Sequence, residues 1–190
     1  MLLIRWLRRQ RAPYLLYSAQ NLDKRYPLPF RWFERWSLRH ASAVSVCNRE
    51  AAQIVRRKGL TGRAELIGLG LDTSHFAPVG EPSTPGAPVR VGYVGRFASH
   101  KGVDVLLDAI AQDERLELVL AGAGPEEASL RHCAEESGAA ERITFAGPVG
   151  GEALPDLYRS LDVLAVPSLT TPGWTEQFGR VAVEAMACGT

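Results

Sequence analysis

The sequence predicts an α/β protein made of two doubly wound parallel-sheet units, each represented in part. Three observations carry that expectation. Short apolar strands alternate with amphipathic helices along most of the chain. A proline- and glycine-rich stretch interrupts the alternation near the middle, and charge is divided unevenly on its two sides. Residues 1–63 hold 14 Lys and Arg against Asp23, Glu34 and Glu50, a net of +11, while the rest of the 190-residue chain nets −10.

Taken in order, Met1–Arg9 reads as a helix, and Tyr14–Ser18 after Ala12-Pro13 as a strand. Pro27 and Pro29 mark the entry to a helix at Pro29–His40, since proline is tolerated in a first turn whose N–H groups have no partner. Ala43–Val46 is a short buried strand. Asn48 has the side chain of an N-cap for a helix reaching about Lys58, and Gly59 suits the left-handed residue that closes it. Ala64–Ile67 is the third strand. From Gly68 to Pro88 the periodicity dissolves. Pro78, Pro82, Pro85 and Pro88, with Gly80 and Gly86, define a linker over 78–88 between a first domain at 1–77 and a second at 89–190.

Beyond the linker the alternation is clean. Strands at Val89–Val94, Leu116–Ala121, Arg142–Ala146 and Val163–Val166 are separated by helices at Gly102–Ala111, Pro125–Ser137 and Glu152–Leu161, and a last helix covers Gly179–Ala187. Apolar strands joined by helices require a parallel sheet covered on both faces. Three strands before the linker and four after it fall short of the about six of a full nucleotide-binding sheet. No opening strand with a glycine turn precedes the first helix, and the pattern calls for another strand after Thr190. The expectation is a partial chain spanning pieces of two domains.

Composition narrows the class. With 46% apolar and 23% charged residues, the chain is neither collagenous nor largely disordered. Cys47, Cys133 and Cys188 are too few and too scattered for a disulfide framework, which points to a reducing compartment and a cytoplasmic location. The apolar run Met1–Ile4 ends at Arg5, too short for a signal-peptide core or a membrane span.

Two stretches carry candidate chemistry. In Pro167–Thr190, Glu176 lies in a loop after a buried strand, Phe178-Gly179 opens a helix, and Glu184 lies inside it. The two acids can be up to about 12 Å apart. The helix start between them would offer N–H groups and a positive dipole end to a phosphate, with a carboxylate on each side for hydroxyls. The alternative is that Glu184 is the buried partner of an arginine and Glu176 a loop charge. In Val91–Gly102, a strand ends in Gly95, with Arg96 next and Lys101 at the following helix. Glycine permits close backbone approach, and two cations at a strand's carboxyl end can neutralise a diphosphate. Otherwise both are solvated surface charges.

Other patterns are weaker. Ala121-Gly122-Ala123-Gly124-Pro125 is a tight strand-to-helix turn suited to line a pocket. Glu127 stands where a dinucleotide fingerprint needs its third glycine. There is no Asp-x-Asp pair and no Gly-x-Ser-x-Gly elbow. His40, His75, His100 and His132 lack metal-ligand spacing, so chemistry without metal or cofactor is expected.

On these residues the chain resembles the glycosyltransferase group 1 family, retaining enzymes of the GT-B fold with two Rossmann-like domains. GRFASHKGVDVLLDAI is similar to the family's diphosphate-binding segment, EQFGRVAVEAMACG to its two-glutamate motif, and LIGLGLDTSHFAP to its interdomain hinge. The resemblance implies transfer of a hexosyl group from a nucleotide-diphosphate-sugar to an acceptor hydroxyl with retention. It implies that Arg96 and Lys101 hold the diphosphate, Glu176 the transferred sugar and Glu184 the ribose. Backbone at Phe178 and Gly179 would lie by sugar and phosphate, and the Pro148-Val149 turn by the base. Where many members carry Thr-x-His on the acceptor side, this chain has Ser18-Ala19-Gln20-Asn21, and Gln20 can position but not titrate. Epimerisation or phosphorolysis on the same fold is a second reading, with no lysine here pointing to a pyridoxal cofactor. A catalytically incompetent nucleotide- or membrane-binding fragment is a third.

The acceptor side is also the basic side. Phe30, Trp32, Phe33 and Trp36 stand among Arg31, Arg35 and Arg39, a pattern suited to an anionic membrane surface or to a lipid-linked or polysaccharide acceptor. The alternative is that the aromatics are core. Nucleic acid is not an expected partner, since no binding motif accompanies the charge.

Overall fold

The computed structural model describes residues 2–20, 22–79 and 86–190. Met1, Asn21 and the linker residues Gly80, Pro82 and Pro85 lie outside them. Two compact units result: Met1–Gly70 together with Gly173–Phe178, and Leu71–Pro172 together with Gly179–Thr190.

In the first unit the elements are α1 (Leu2–Arg9), β1 (Leu15–Ser18), α2 (Phe30–His40), β2 (Ala43–Val46), α3 (Arg49–Arg57) and β3 (Arg63–Leu66). The strands are parallel in the order β1-β2-β3, with Leu16, Val44 and Ala64 in register. Because strand side chains alternate in direction, Val44 and Val46 face one side of the sheet. There they meet Leu38 of α2 and Ala51 and Val55 of α3, with Ile4 and Leu7 of α1 packed at the margin. The side chains of Leu15 and Tyr17 are exposed. Asn48 caps α3 as expected, its Oδ1 accepting from the Ala51 N–H at 2.7 Å, and Gly59 follows the helix at φ 104°.

The second unit holds β4 (Val89–Val94), α4 (Val103–Ala111), β5 (Leu116–Ala121), α5 (Glu127–Glu136), β6 (Ile143–Gly147), α6 (Ala153–Arg159), β7 (Val163–Leu164) and α7 (Arg180–Cys188). Its sheet is parallel throughout, in the order β6-β5-β4-β7. Alternation divides it between two cores. Val91, Tyr93, Leu118, Leu120 and Ile143 face α4 and α5. Val119 faces α6 and α7, where Tyr158, Leu161, Ala185 and Cys188 are buried.

Two departures from expectation have local causes. Strand β7 stops at Leu164, short of the expected Val166. Past it the chain packs on the β4–α4 corner instead: Leu169 N–H donates to His100 O at 2.9 Å, and a Cβ on Gly102 would overlap Pro167 O. Within the stretch read as structureless, Leu71–Ala77 is built into the second unit. The Asp72 side chain accepts from the backbone and hydroxyl of Ser74, and Phe76 is buried against Tyr158. Arg159 donates to Ala77 O at 2.8 Å.

Candidate functional site

The carboxyl ends of four parallel strands form one edge of the second unit. The chain leaves β4 towards β5 and β6, then returns through α6 to place β7 on the other side of β4. Where strand order reverses in this way, the loops diverge and leave a crevice. Gly95, Arg96 and Lys101 follow β4, Gly122 follows β5, Pro148-Val149 follows β6, and the chain after β7 leads to Gly179 and α7.

Arg96 sits on a loop pinned on both sides. Gly95 N–H donates to Ala121 O at 2.9 Å and Phe97 N–H to Ala123 O at 3.0 Å, so the exits of β4 and β5 stay paired beyond the sheet. A Cβ at Gly122 would overlap Gly95 O, and one at Gly124 would overlap Phe97 O, so both glycines are required by close approach. Phe97 is buried and the Tyr93 hydroxyl donates to Arg96 O at 2.9 Å. The Arg96 side chain is exposed and forms no ion pair among the described residues. Lys101, half-buried, ends the short 3-10 turn Ser99–Lys101, and Gly102 at φ 65° turns the chain into α4.

Glu184, in the second turn of α7, is 4% exposed. Its carboxylate accepts from the Tyr158 hydroxyl at 2.8 Å on Oε2, and from Arg180 Nη2 at 3.1 Å on Oε1. The arginine partner considered from sequence is therefore real, but it is the exposed Arg180, one turn earlier on the same helix. The buried partner is Tyr158 of α6, a residue that the sequence does not single out. Burial raises the Tyr158 phenol's pKa, and the hydrogen bond to Glu184 raises it further. The phenol stays protonated and donating.

Glu176 and Phe178 belong to the first unit, within Gly173–Phe178. Asn48 Nδ2 donates to Gln177 O at 3.3 Å, and Gln177 N–H donates to Glu176 Oε1 at 3.2 Å. Trp174 and Gln177 help line a cleft of about 360 Å³ in that unit, together with Tyr17, Gln20, Lys24 and Tyr26. Gln20 is fixed there: its Oε1 accepts from Lys58 Nζ at 3.2 Å, and Lys58 also donates to Glu34 at 2.7 Å. Thus Gly95, Arg96, Lys101, Gly122 and Val149 follow strand ends on one edge of the second unit, Gly179 precedes α7 and Glu184 is buried inside it, and the first unit holds Glu176, Phe178 and Gln20. Among the described residues, no group of three His, Cys, Asp or Glu is placed to hold a metal ion.

Residues 81–190 match the family described as Glycosyl transferases group 1. The chain belongs to that family. A D-inositol 3-phosphate glycosyltransferase of Mycolicibacterium gilvum is 39% identical over 142 residues, covering 68% of this chain and 30% of the relative. Among solved structures, the sucrose-phosphate synthase of Thermosynechococcus elongatus superposes with a TM-score of 0.74 at 28% identity, over 98% of this chain and 51% of that one. HepE from Anabaena, solved with UDP, gives a TM-score of 0.75 at 24% identity, over 96% and 53%. This group 1 glycosyltransferase chain thus has the GT-B fold and spans about half the length of those structures, and less of the curated relative.

Proposed function

We propose that the chain forms the donor-binding half, and part of the acceptor side, of a retaining glycosyltransferase that moves a hexosyl group from a nucleotide-diphosphate-sugar to an acceptor hydroxyl. The observation that supports this reading is the position of Arg96 and Lys101 after β4 on the carboxyl edge, beside the reversal of strand order at β4 and β7. Arg96 and Lys101 supply positive charge where the diphosphate leaves with its negative charge building. Such fixed charge in a partly dehydrated site is the largest contribution a protein makes to this type of reaction. It lets the two cations act in place of a metal.

Ribose hydroxyls would reach Glu184 Oε1 in place of the exposed Arg180 while Tyr158 keeps Oε2, and Glu176 takes the hydroxyls of the transferred sugar. The transition state resembles an oxocarbenium ion and uses no enzymic nucleophile. Uridine is the favoured base, supported by the UDP held by HepE. A polyol hydroxyl is the favoured acceptor, supported by the name of the Mycolicibacterium relative. The other partner is an anionic membrane, met through the basic first unit.

The test is nucleotide titration by calorimetry on the whole chain and on Glu184→Gln. A hydrogen bond to a charged group contributes about 1.5–3 kcal/mol. The substitution is expected to weaken UDP binding about tenfold or more, and unchanged affinity would remove the ribose role.

A further inference from the structure

We infer that Asn48 is a positioning residue for Glu176: one end of its side-chain amide caps α3, and the other end holds the loop that carries Glu176. The inference rests on the assignment of Glu176 to the transferred sugar and names the residue that sets it in place.

A helix N-cap needs only an acceptor, and Ser and Asp supply one about as well as Asn does. Asparagine alone among them carries a separate amide donor. Both ends are used here. Oδ1 accepts from the Ala51 N–H at 2.7 Å, and Nδ2 donates to Gln177 O at 3.3 Å. The two contacts demand the same orientation of the amide, because Nδ2 cannot accept from an N–H and Oδ1 cannot donate to a carbonyl. Capping accounts for the first contact. It does not account for a donor aimed at a carbonyl 129 residues away.

The place of Asn48 decides what the second contact does. Strand β2 ends at Val46, in register with Ser18 at the end of β1, so Asn48 follows one strand exit and Gln20 the adjacent one. Gly173–Phe178 meets both exits within the first unit. Trp174 and Gln177 line the cleft of about 360 Å³ with Tyr17 and Gln20, while Asn48 holds the Gln177 carbonyl. The other backbone group of Gln177 is engaged too, its N–H donating to Glu176 Oε1 at 3.2 Å. The tether from Asn48 therefore fixes the residue against which the Glu176 carboxylate is set.

The experiment compares the full chain with Asn48→Asp, which keeps the cap acceptor and turns an oxygen towards the Gln177 carbonyl. Asn48→Ser, which caps but is too short to reach that carbonyl, is the second variant. The melting temperature of the aspartate variant is expected to stay within about 2 °C of the unsubstituted chain. Hydrogen exchange across Gly173–Phe178 should be about fivefold faster in both variants, with α4 unchanged. Calorimetric titration should show both variants binding UDP-glucose about fivefold more weakly, with UDP affinity unchanged, because Glu176 meets only the sugar. Unchanged exchange in Gly173–Phe178 would overturn the positioning role and leave Asn48 a helix cap. So would UDP-glucose affinity that is unchanged, or that falls only as far as the affinity for UDP. Binding of neither nucleotide to the unsubstituted chain would instead overturn the donor reading, and the inference with it, whatever the exchange rates.

Discussion

Val181, Glu184, Ala185 and Cys188 share one side of α7, and three of the four are apolar residues packed into the core on Tyr158. A carboxylate at such a helix position needs a buried partner, because an unpaired charge there costs several kcal/mol. Tyr158, fully buried, meets that need on one oxygen. Tyr158→Phe removes the donor and leaves Glu184 partly unsatisfied, and is expected to cost about 1–3 kcal/mol of stability in denaturant unfolding. Arg180→Ala removes a partner whose side chain is mostly in solvent, and should cost about 1 kcal/mol or less. Equal losses would contradict the division of labour between the two. The charge of Glu184 and its place on a helix were legible in the sequence. Tyr158 was not, because its contact spans 26 residues and nothing local to its helix marks it.

At the scale of elements, periodicity located nearly every helix and strand, because apolar side chains recur at the spacing each element needs to cover a core. What it missed was set by non-local contacts. Strand β7 is cut short by the β4–α4 corner, and Leu71–Ala77 is ordered by Phe76 and Arg159 rather than by any pattern of its own. Gly122 shows the same dependence on distant backbone. Gly122→Ala would push a methyl group into Gly95 O and is expected to cost about 2 kcal/mol or more, read as a lowered melting temperature of the second unit. A neutral outcome would mean that the paired exits of β4 and β5 are not rigid.

The turn into β5 supplies a pH prediction. Hydrogen bonds from Arg115 hold Asp113 well below its ordinary range, at about 2. A depressed carboxyl pKa adds stability above the unfolded value of about 4. That contribution is lost as pH falls from there through about 2. Carbon-13 NMR should show the Asp113 carboxyl titrating near 2, and Arg115→Gln should return it towards 4. A midpoint near 4 in the unsubstituted chain would contradict the pairing.

For the whole molecule, the charge split read along the sequence separates the two folded units with little mixing. The basic part builds the first unit, and the acidic part carries the strand exits assigned to the donor. One feature of that division was hidden. Gly173–Phe178, continuous in sequence with α7, belongs to the first unit, where Asn48 reaches Gln177 across 129 residues. The eight-residue spacing of Glu176 and Glu184 therefore bridges two units, which no helical rise could have indicated. The most direct measurement is thermal unfolding of the 190-residue chain alone and with UDP, GDP or ADP. A nucleotide that binds only the folded form at about a hundred times its dissociation constant adds about 2.7 kcal/mol. The expected result is a cooperative transition raised by several degrees with UDP, and not raised in Glu184→Gln. A cooperative transition that none of the three nucleotides moves would contradict the assignment of the strand-exit edge as a nucleotide-sugar site.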